Sequence, residues 1–82
     1  MEDRIKKLRQ ELDVIDDNIA KLIASRIEIG REIVRLKKEA GLPKDDKNRE
    51  NEILERISKP DSQVDGLLKE LYKRIFDWVK NQ

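Results

Sequence analysis

The residues of this chain with the clearest chemical potential are basic, and one of them stands inside an apolar pattern. Arg26 occupies a position in the stretch LIASRIEIG where a helix would bury an apolar side chain. Burying an unpaired guanidinium is very costly, and arginine does not shed its proton to avoid that cost. Arg26 therefore needs an anion, a glutamate on a neighbouring helix or a route to water. A polar residue at one seam position can also fix helix register.

A second cation, Lys37, projects from nearly the same side of the same predicted helix. It follows Arg26 by close to three helical turns, an axial gap of roughly 16 Å. Two long side chains leaning towards each other could grip one small anion. Arg9 lies roughly 25 Å before Arg26 along the helix. It could join them only from another subunit, through an antiparallel pair of first helices that cross near residues 19–23.

Three more charged residues, Asp46, Arg49 and Glu50, share a face at the start of a second predicted helix. Acidic residues there are also ordinary capping and dipole chemistry, and Arg49 could simply pair with either acidic neighbour. Together with the first-helix cations they predict a pocket of three arginines, one lysine and two carboxylates. Arginine forks bind carboxylates through paired hydrogen bonds. Such a pocket suits a small dianion that also carries a hydroxyl.

A long first helix must position the cations. Apolar residues recur at the first and fourth places of a heptad over the first 40 residues, with one exception. We call these residues the seam: Ile5, Leu8, Leu12, Ile15, Ile19, Leu22, Ile29, Ile33, Leu36 and Ala40. Ile23, Ile27 and Val34 widen the apolar arc in the second half, which predicts more than one neighbouring helix. Gly41 and Pro43 predict the helix end.

The pattern predicts an all-α chain that forms one domain over residues 1–82. Helices are expected at about 3–40, 46–58 and 63–81, with Asp45 or Asp46 capping the second. The stretch SQVD is typical of a capping box before the third helix. The predicted inward residues of that helix are Leu67, Leu68, Leu71, Ile75 and Val79. A compact chain of this length has a radius of gyration of about 12 Å, so a first helix of roughly 50–55 Å needs a second subunit to cover its seam.

Composition narrows the function further. The 19 basic and 18 acidic residues nearly cancel, which argues against nucleic-acid or membrane partners, because both need a one-sided field. Neither cysteine nor histidine is present, so no metal or cofactor is expected. An enzyme built from these residues would act by positioning and electrostatic stabilisation. No apolar run could span a bilayer, and MEDRIKK lacks the core of a secretory signal, so a cytoplasmic protein is expected.

At these residues the chain resembles the all-helical (AroQ-type) chorismate mutases. The likeness runs through LRQELDVIDDNIAKLIASR, then Lys37, then GLPKDDKNRENEILERI. The spacing from Arg9 to Asp16, Arg26 and Lys37, and on to the charged turn of the second helix, matches that family without a gap. The resemblance implies three-helix chains whose long first helices intertwine in a homodimer. It also implies an isomerase of aromatic amino-acid biosynthesis, in the shikimate pathway, which rearranges the dicarboxylate chorismate to prephenate.

The resemblance implies substrate-binding roles for Arg9, Arg26, Lys37, Asp46, Arg49 and Glu50. Arg9 would arrive from the partner subunit, and Lys37 would donate a hydrogen bond to the ether oxygen as that oxygen gains negative charge. Glu50, with help around Asp46, would bind the ring hydroxyl. The implied catalytic residues are Lys37, Arg26, Glu50 and Gln82.

The third helix departs from the family pattern. Val79 stands where the family often has a small polar residue, and the family's second donor to the ether oxygen falls one residue beyond Gln82. Gln82 would serve if the helix tail shifts. Gly30, one turn after Arg26, is expected to leave the substrate room. Two other functions stay open: an isochorismate-pyruvate lyase on the same scaffold, and a non-catalytic helical dimerisation module whose seam arginine sets register.

Overall fold

The computed structural model describes residues 1–81, and within them the fold is all-α, as the sequence predicts. Helix α1 spans Glu2–Glu39, α2 spans Lys47–Ile57 and α3 spans Asp65–Lys80. The 38 residues of α1 form the long axis of a chain that measures 59 Å from end to end. The radius of gyration is 16.7 Å, against about 12 Å for a compact chain of this length. Over the same residues, none of the helices has the length and apolar content that a membrane crossing requires.

Gly41 ends α1 because its backbone takes a left-handed conformation, with φ of 71°. Its N–H donates to the Lys38 carbonyl at 3.2 Å, and the Leu42 N–H donates to the Lys37 carbonyl at 2.8 Å. This is the Schellman arrangement, in which a residue without a Cβ satisfies the last carbonyls of a helix. The turn sends the chain back across the end of α1, so that Asp46 lies beside Lys37.

Asp46 is the N-cap of α2, one of the two caps that the sequence predicts. Its Oδ1 accepts a hydrogen bond from the Arg49 N–H at 3.1 Å. The side chain thereby satisfies one of the free amides that every helix start leaves. The cap also fixes where the first turn of α2 begins, and with it the directions of Arg49 and Glu50.

The predicted capping box before α3 is wrong. Ser62 Oγ accepts from the Val64 N–H at 3.2 Å instead of capping the helix. The Asp65 carboxylate turns back to accept from the Lys59 N–H at 2.6 Å and from the Ser58 hydroxyl at 3.0 Å. Asp65 therefore braces the connection between α2 and α3, and α3 begins at Asp65 itself.

Helix α3 packs against both other helices, whereas the backbones of α1 and α2 do not approach each other closely within residues 1–81. The buried residues are Gly30, Ile53, Ile75, Phe76 and Val79. Two members of the predicted inward stripe of α3, Leu67 and Leu71, are instead 63% and 38% exposed. The core is small, and α3 sets the distance between the two helices on either side of it.

The seam of α1 lies in solvent. Its large apolar side chains are between 44% and 70% exposed, from Ile5 to Leu36. In contrast Ile23, Ile27 and Val34, which lie off the seam, are half-buried, and α3 is the helix that packs on α1. The chain therefore covers the extra apolar arc of α1 with its own third helix and leaves the seam open.

Candidate active site

A cavity of about 350 Å³ lies between the C-terminal half of α1, the start of α2 and the end of α3. Five residues that the sequence singles out line it: Arg26, Lys37, Asp46, Arg49 and Glu50. Six basic and two acidic side chains line the cavity in all. A concave site with this excess of positive charge favours a small anion.

Arg26 rests on aromatic rings. Its guanidinium carbon lies 5.7 Å from the ring centroid of Tyr72 and 5.7 Å from that of Phe76, within the range of cation–π attraction. Among residues 1–81, no carboxylate lies within ion-pair distance of it. The neighbouring glutamate that the sequence allows as a partner is therefore not found there. The rings support the half-buried side chain and leave its N–H groups to donate to a ligand.

Lys37 approaches one carboxylate loosely. Its Nζ lies 3.8 Å from Asp46 Oδ2, and its side chain is 24% exposed. That distance exceeds a hydrogen bond, so the attraction holds the ammonium near the cavity without using up its donors. The other oxygen of Asp46 is the cap of α2.

The first turn of α2 presents Arg49 and Glu50 differently. Arg49 reaches away to Glu52, with Nη1 3.3 Å from Oε2, and is 56% exposed. Its side chain therefore pairs with neither Asp46 nor Glu50. Glu50 is only 18% exposed, with Oε1 3.7 Å from Lys47 Nζ. Arg49 is an exposed cation at the mouth of the cavity, whereas Glu50 belongs to its wall.

Lys80 also lines the cavity, and sequence reasoning missed it. Its Nζ donates to Asp45 Oδ1 at 2.6 Å and to Glu50 Oε2 at 2.9 Å. These bonds, the one to Asp45 foremost, raise the pKa of Lys80. Lys80 in turn lowers the pKa of Asp45. A lysine in the last turn of a helix is ordinary dipole chemistry, so no local signal marks it.

The space beside Gly30 is occupied. A Cβ placed on Gly30 would lie 3.1 Å from both methyl groups of Val79. The expectation that Gly30 leaves room for a substrate is therefore wrong in that direction, because Val79 of α3 fills the gap. The close approach instead brings the last turn of α3 against α1, next to the cavity.

The comparison with known proteins places the chain in a family. A family model described as chorismate mutase type II matches residues 8–82. The chain belongs to the type II chorismate mutase family.

Two of three curated relatives carry the name chorismate mutase, and each of the three is longer than the region that matches. The chain is 36% identical over 59 residues to a chorismate mutase of Methanocaldococcus jannaschii, covering 72% of this chain and 60% of that protein. It is 36% identical over 64 residues to a bifunctional chorismate mutase/prephenate dehydratase of Aquifex aeolicus, covering 78% of this chain and 18% of that one. A 3-dehydroquinate dehydratase of Pyrobaculum aerophilum is 45% identical over 49 residues, which are 60% of this chain and 16% of that protein. The chain thus spans three fifths or less of the length of these curated relatives. No solved structure gives a significant match.

One of the predicted site residues, Arg9, is not among those that line the cavity of this chorismate mutase family member. Arg9 lies on the exposed N-terminal half of α1, roughly 25 Å along the helix from Arg26. Gln82 lies outside the described residues.

Proposed function

We propose that this chain is a chorismate mutase, the cytoplasmic isomerase that rearranges chorismate to prephenate on the way to aromatic amino acids. One observation carries the proposal: in a member of this family, Arg26, Lys37 and the charged first turn of α2 line one cavity with an excess of positive charge. The reaction is concerted, since one C–O bond breaks as a C–C bond forms. It requires a held conformation and stabilised charge rather than an acid, a base or a metal.

Two arginines hold the carboxylates of chorismate. Arg26 is already supported on Tyr72 and Phe76, so little side-chain freedom is lost when it binds. Arg49 exchanges its exposed partner Glu52 for a substrate carboxylate. Because exposed ion pairs are worth only about 0–1 kcal/mol, that exchange costs little.

Lys37 stabilises the transition state. As the ether C–O bond breaks, negative charge grows on the oxygen, and the Lys37 ammonium donates to it. Its only carboxylate neighbour within residues 1–81 is Asp46, at 3.8 Å, so a donor is available. A donor aimed at developing charge contributes about 3–4 kcal/mol, or two to three powers of ten in rate. Gln82 is proposed as the second donor to the same oxygen.

Glu50 accepts the hydrogen bond of the ring hydroxyl. Its Oε2 is held by Lys80 at 2.9 Å, while Oε1 has no hydrogen-bond partner among residues 1–81. Asp46 supports the arrangement by capping α2 through Oδ1, which fixes Glu50 on the first turn of the helix.

The active form is a homodimer in which the seams of two α1 helices pack together. Nine large apolar seam side chains, each 44–70% exposed in one chain, then leave water, at roughly 1 kcal/mol for each half-buried residue. Arg9 lies roughly 18 Å before residue 21 and Ile33 lies roughly 18 Å after it. An antiparallel crossing near residue 21 therefore brings the partner's Arg9 beside the cavity, where it binds a substrate carboxylate.

Shared sites of this kind predict complementation between two inactive chains. Arg9→Ala and Lys37→Ala chains are mixed in equal amounts, and subunit exchange is verified by native mass spectrometry. Each heterodimer has one intact site and one site that lacks both residues. At random exchange, activity should rise to about a quarter of the wild-type value. If exchange is complete and activity does not rise, each site is built from one chain alone.

The activity itself is tested with the purified dimer and chorismate, by chromatographic identification of the products. Prephenate, formed at a rate well above the spontaneous rearrangement, supports the proposal. Isochorismate is offered in a parallel reaction with a pyruvate assay. Pyruvate release without prephenate would instead make the chain an isochorismate-pyruvate lyase. An intact dimer that turns over neither substrate would make it a dimerisation module.

A further inference from the structure

Lys80, the last residue of α3, is tied to the cavity by two hydrogen bonds that cross the fold. Its side chain is 13% exposed, compared with 43% for Lys69 on the same helix. The bonds reach Asp45 and Glu50, across 35 and 30 residues of sequence. Among residues 1–81, they are the side-chain hydrogen bonds that join α3 to the start of α2. A lysine that only complemented the helix dipole would not need them.

We propose that Lys80 is a positioning residue that orients the Glu50 carboxylate for the substrate hydroxyl; the inference rests on the proposed function. Lys80 holds Oε2 at 2.9 Å, whereas Lys47, which is 73% exposed, lies 3.7 Å from Oε1, beyond hydrogen-bond distance. A carboxylate pinned through one oxygen presents the other in a fixed direction. Without this hydrogen bond the Glu50 carboxylate has more conformations open to it, and the cost of ordering it falls on substrate binding and on the transition state.

Val79, the residue before Lys80, positions the opposite wall of the cavity, which is formed by α1. Val79 packs against Gly30 of α1, where an added Cβ would lie 3.1 Å from both of its methyl groups. Since the backbones of α1 and α2 do not approach each other closely within residues 1–81, the last turn of α3 sets the width of the cavity. Val79 holds the wall that carries Arg26 and Lys37, and Lys80 holds the wall that carries Glu50.

Asp45 completes the arrangement by holding Lys80 from the solvent side. Its Oδ1 lies 2.6 Å from Nζ, and its side chain is 61% exposed. With two carboxylates to satisfy it, Lys80 is drawn towards α2 rather than towards the open cavity. The alternative is that Lys80 releases both carboxylates and binds a substrate carboxylate directly. The two roles predict different couplings with Glu50.

The experiment is a double-mutant cycle on the full-length dimer, with chorismate as the substrate. Lys80→Met keeps the length of the side chain but removes its charge, and should lower kcat about 10- to 100-fold with a smaller change in KM. Lys80→Arg should recover most of the loss, because a guanidinium also reaches both carboxylates. In a Glu50→Gln background, Lys80→Met should change kcat by less than about two-fold, since coupled residues are not additive. Losses that multiply in the double variant, or a change confined to KM, would overturn the proposal.

Two further measurements separate this proposal from stability and from the activity itself. Lys69→Met is the matched control, because it removes a lysine–carboxylate pair of α3 with Asp65 away from the cavity. It should leave kcat unchanged, whatever it does to the melting temperature. Crystal structures of Lys80→Met and Lys80→Arg give a readout that needs no turnover. The Glu50 carboxylate should move in the first and stay in the second. A fixed Glu50 in Lys80→Met would refute positioning even in a chain that proved inactive on chorismate.

Discussion

The two halves of α1 share one heptad pattern but have different surroundings. From residue 2 to residue 22 every side chain is exposed, and no other part of the described chain covers this half. From residue 23 onward the helix has two apolar faces. One of them, with Ile23, Ile27, Gly30 and Val34, is covered to a large extent, and the other continues the exposed seam.

The different surroundings of the two halves indicate that α1 has two apolar faces with different roles. The seam is continuous through both halves, so it is suited to a partner that runs along the whole helix. The second face exists only where α3 lies, so it serves the chain's own fold. Arg26 and Lys37 lie where these two faces meet, so in the proposed homodimer the cavity of one chain would be completed by Arg9 of its partner.

The largest effect is expected from placing a charge in the seam, which tests whether the seam serves a partner chain. Ile15→Glu would bury a carboxylate against the partner helix, at a cost of several kcal/mol unless it found a partner. We expect a monomer by light scattering and a loss of activity of about 1,000-fold or more, which corresponds to roughly 4 kcal/mol. Val14→Glu is the matched control, because Val14 is 62% exposed but lies off the seam. If both variants stay dimeric and active, the seam is not the interface.

The second test removes one cationic side chain from the C-terminal half of α1 and leaves the helix packing unchanged. Lys37→Ala should lower kcat by two to three powers of ten, because the ether oxygen loses a donor worth about 3–4 kcal/mol. Far-ultraviolet circular dichroism and light scattering should show an unchanged helical dimer. Lys38→Ala, at the adjacent exposed position, should be close to wild type. Equal losses in the two variants would mean that Lys37 acts only through the net charge of the region.

Local information in the sequence was enough for α1 and for the residues on its cavity side. The heptad pattern predicts a helix through the seam, and Gly41 ends it because only a left-handed residue closes that turn. Residues on one rigid helix have known separations, so Arg26 and Lys37 could be paired before the fold was known. The cap at Asp46 likewise fixes the backbone positions of Arg49 and Glu50 in the first turn of α2 without reference to other helices.

The placement of α3 was beyond local reasoning. The sequence allows the Asp65 side chain either to complete a capping box or to accept hydrogen bonds from the preceding connection. In the structure it accepts from the Lys59 N–H of that connection. Lys80 could be identified only when the positions of α2 and α3 were known together. Gly30 was expected to leave room for the substrate, but the side chain beside it is Val79 of α3, whose position no local pattern could give.

A smaller test addresses the packed face of α1 directly. Replacing a helical glycine by alanine stabilises by up to about 1 kcal/mol where there is space. Gly66 has nothing within 4 Å of an added Cβ, whereas at Gly30 the Val79 methyls are 3.1 Å away, and overpacking costs typically 1–3 kcal/mol. The free energy of unfolding of Gly30→Ala, from urea titration, should therefore fall below that of Gly66→Ala by about 1 kcal/mol or more. Equal gains would show that α3 is not packed tightly on α1.

The smallest expected effect concerns the connection that sets where α3 begins. The Lys59 N–H, and after it the Ser58 hydroxyl, lower the pKa of Asp65 below its ordinary value of about 3.9. The folded chain therefore binds this proton more weakly than the unfolded chain. The contribution of Asp65 to stability is full above the unfolded pKa and is lost as the pH falls through the folded pKa.

Asp65→Asn tests this contribution, because the amide oxygen can still accept from Lys59 but carries no charge. Its melting temperature should lie a few degrees below that of the wild type at pH 7, and the gap should close towards pH 2. Asp61→Asn, in the same exposed connection, is the control and should follow the wild type at every pH. A gap in Asp65→Asn that persists unchanged into acid would assign the loss to hydrogen-bond geometry rather than to the carboxylate charge. The stability of the start of α3, and with it the packing of α3 on the C-terminal half of α1, would then not depend on the charge of Asp65.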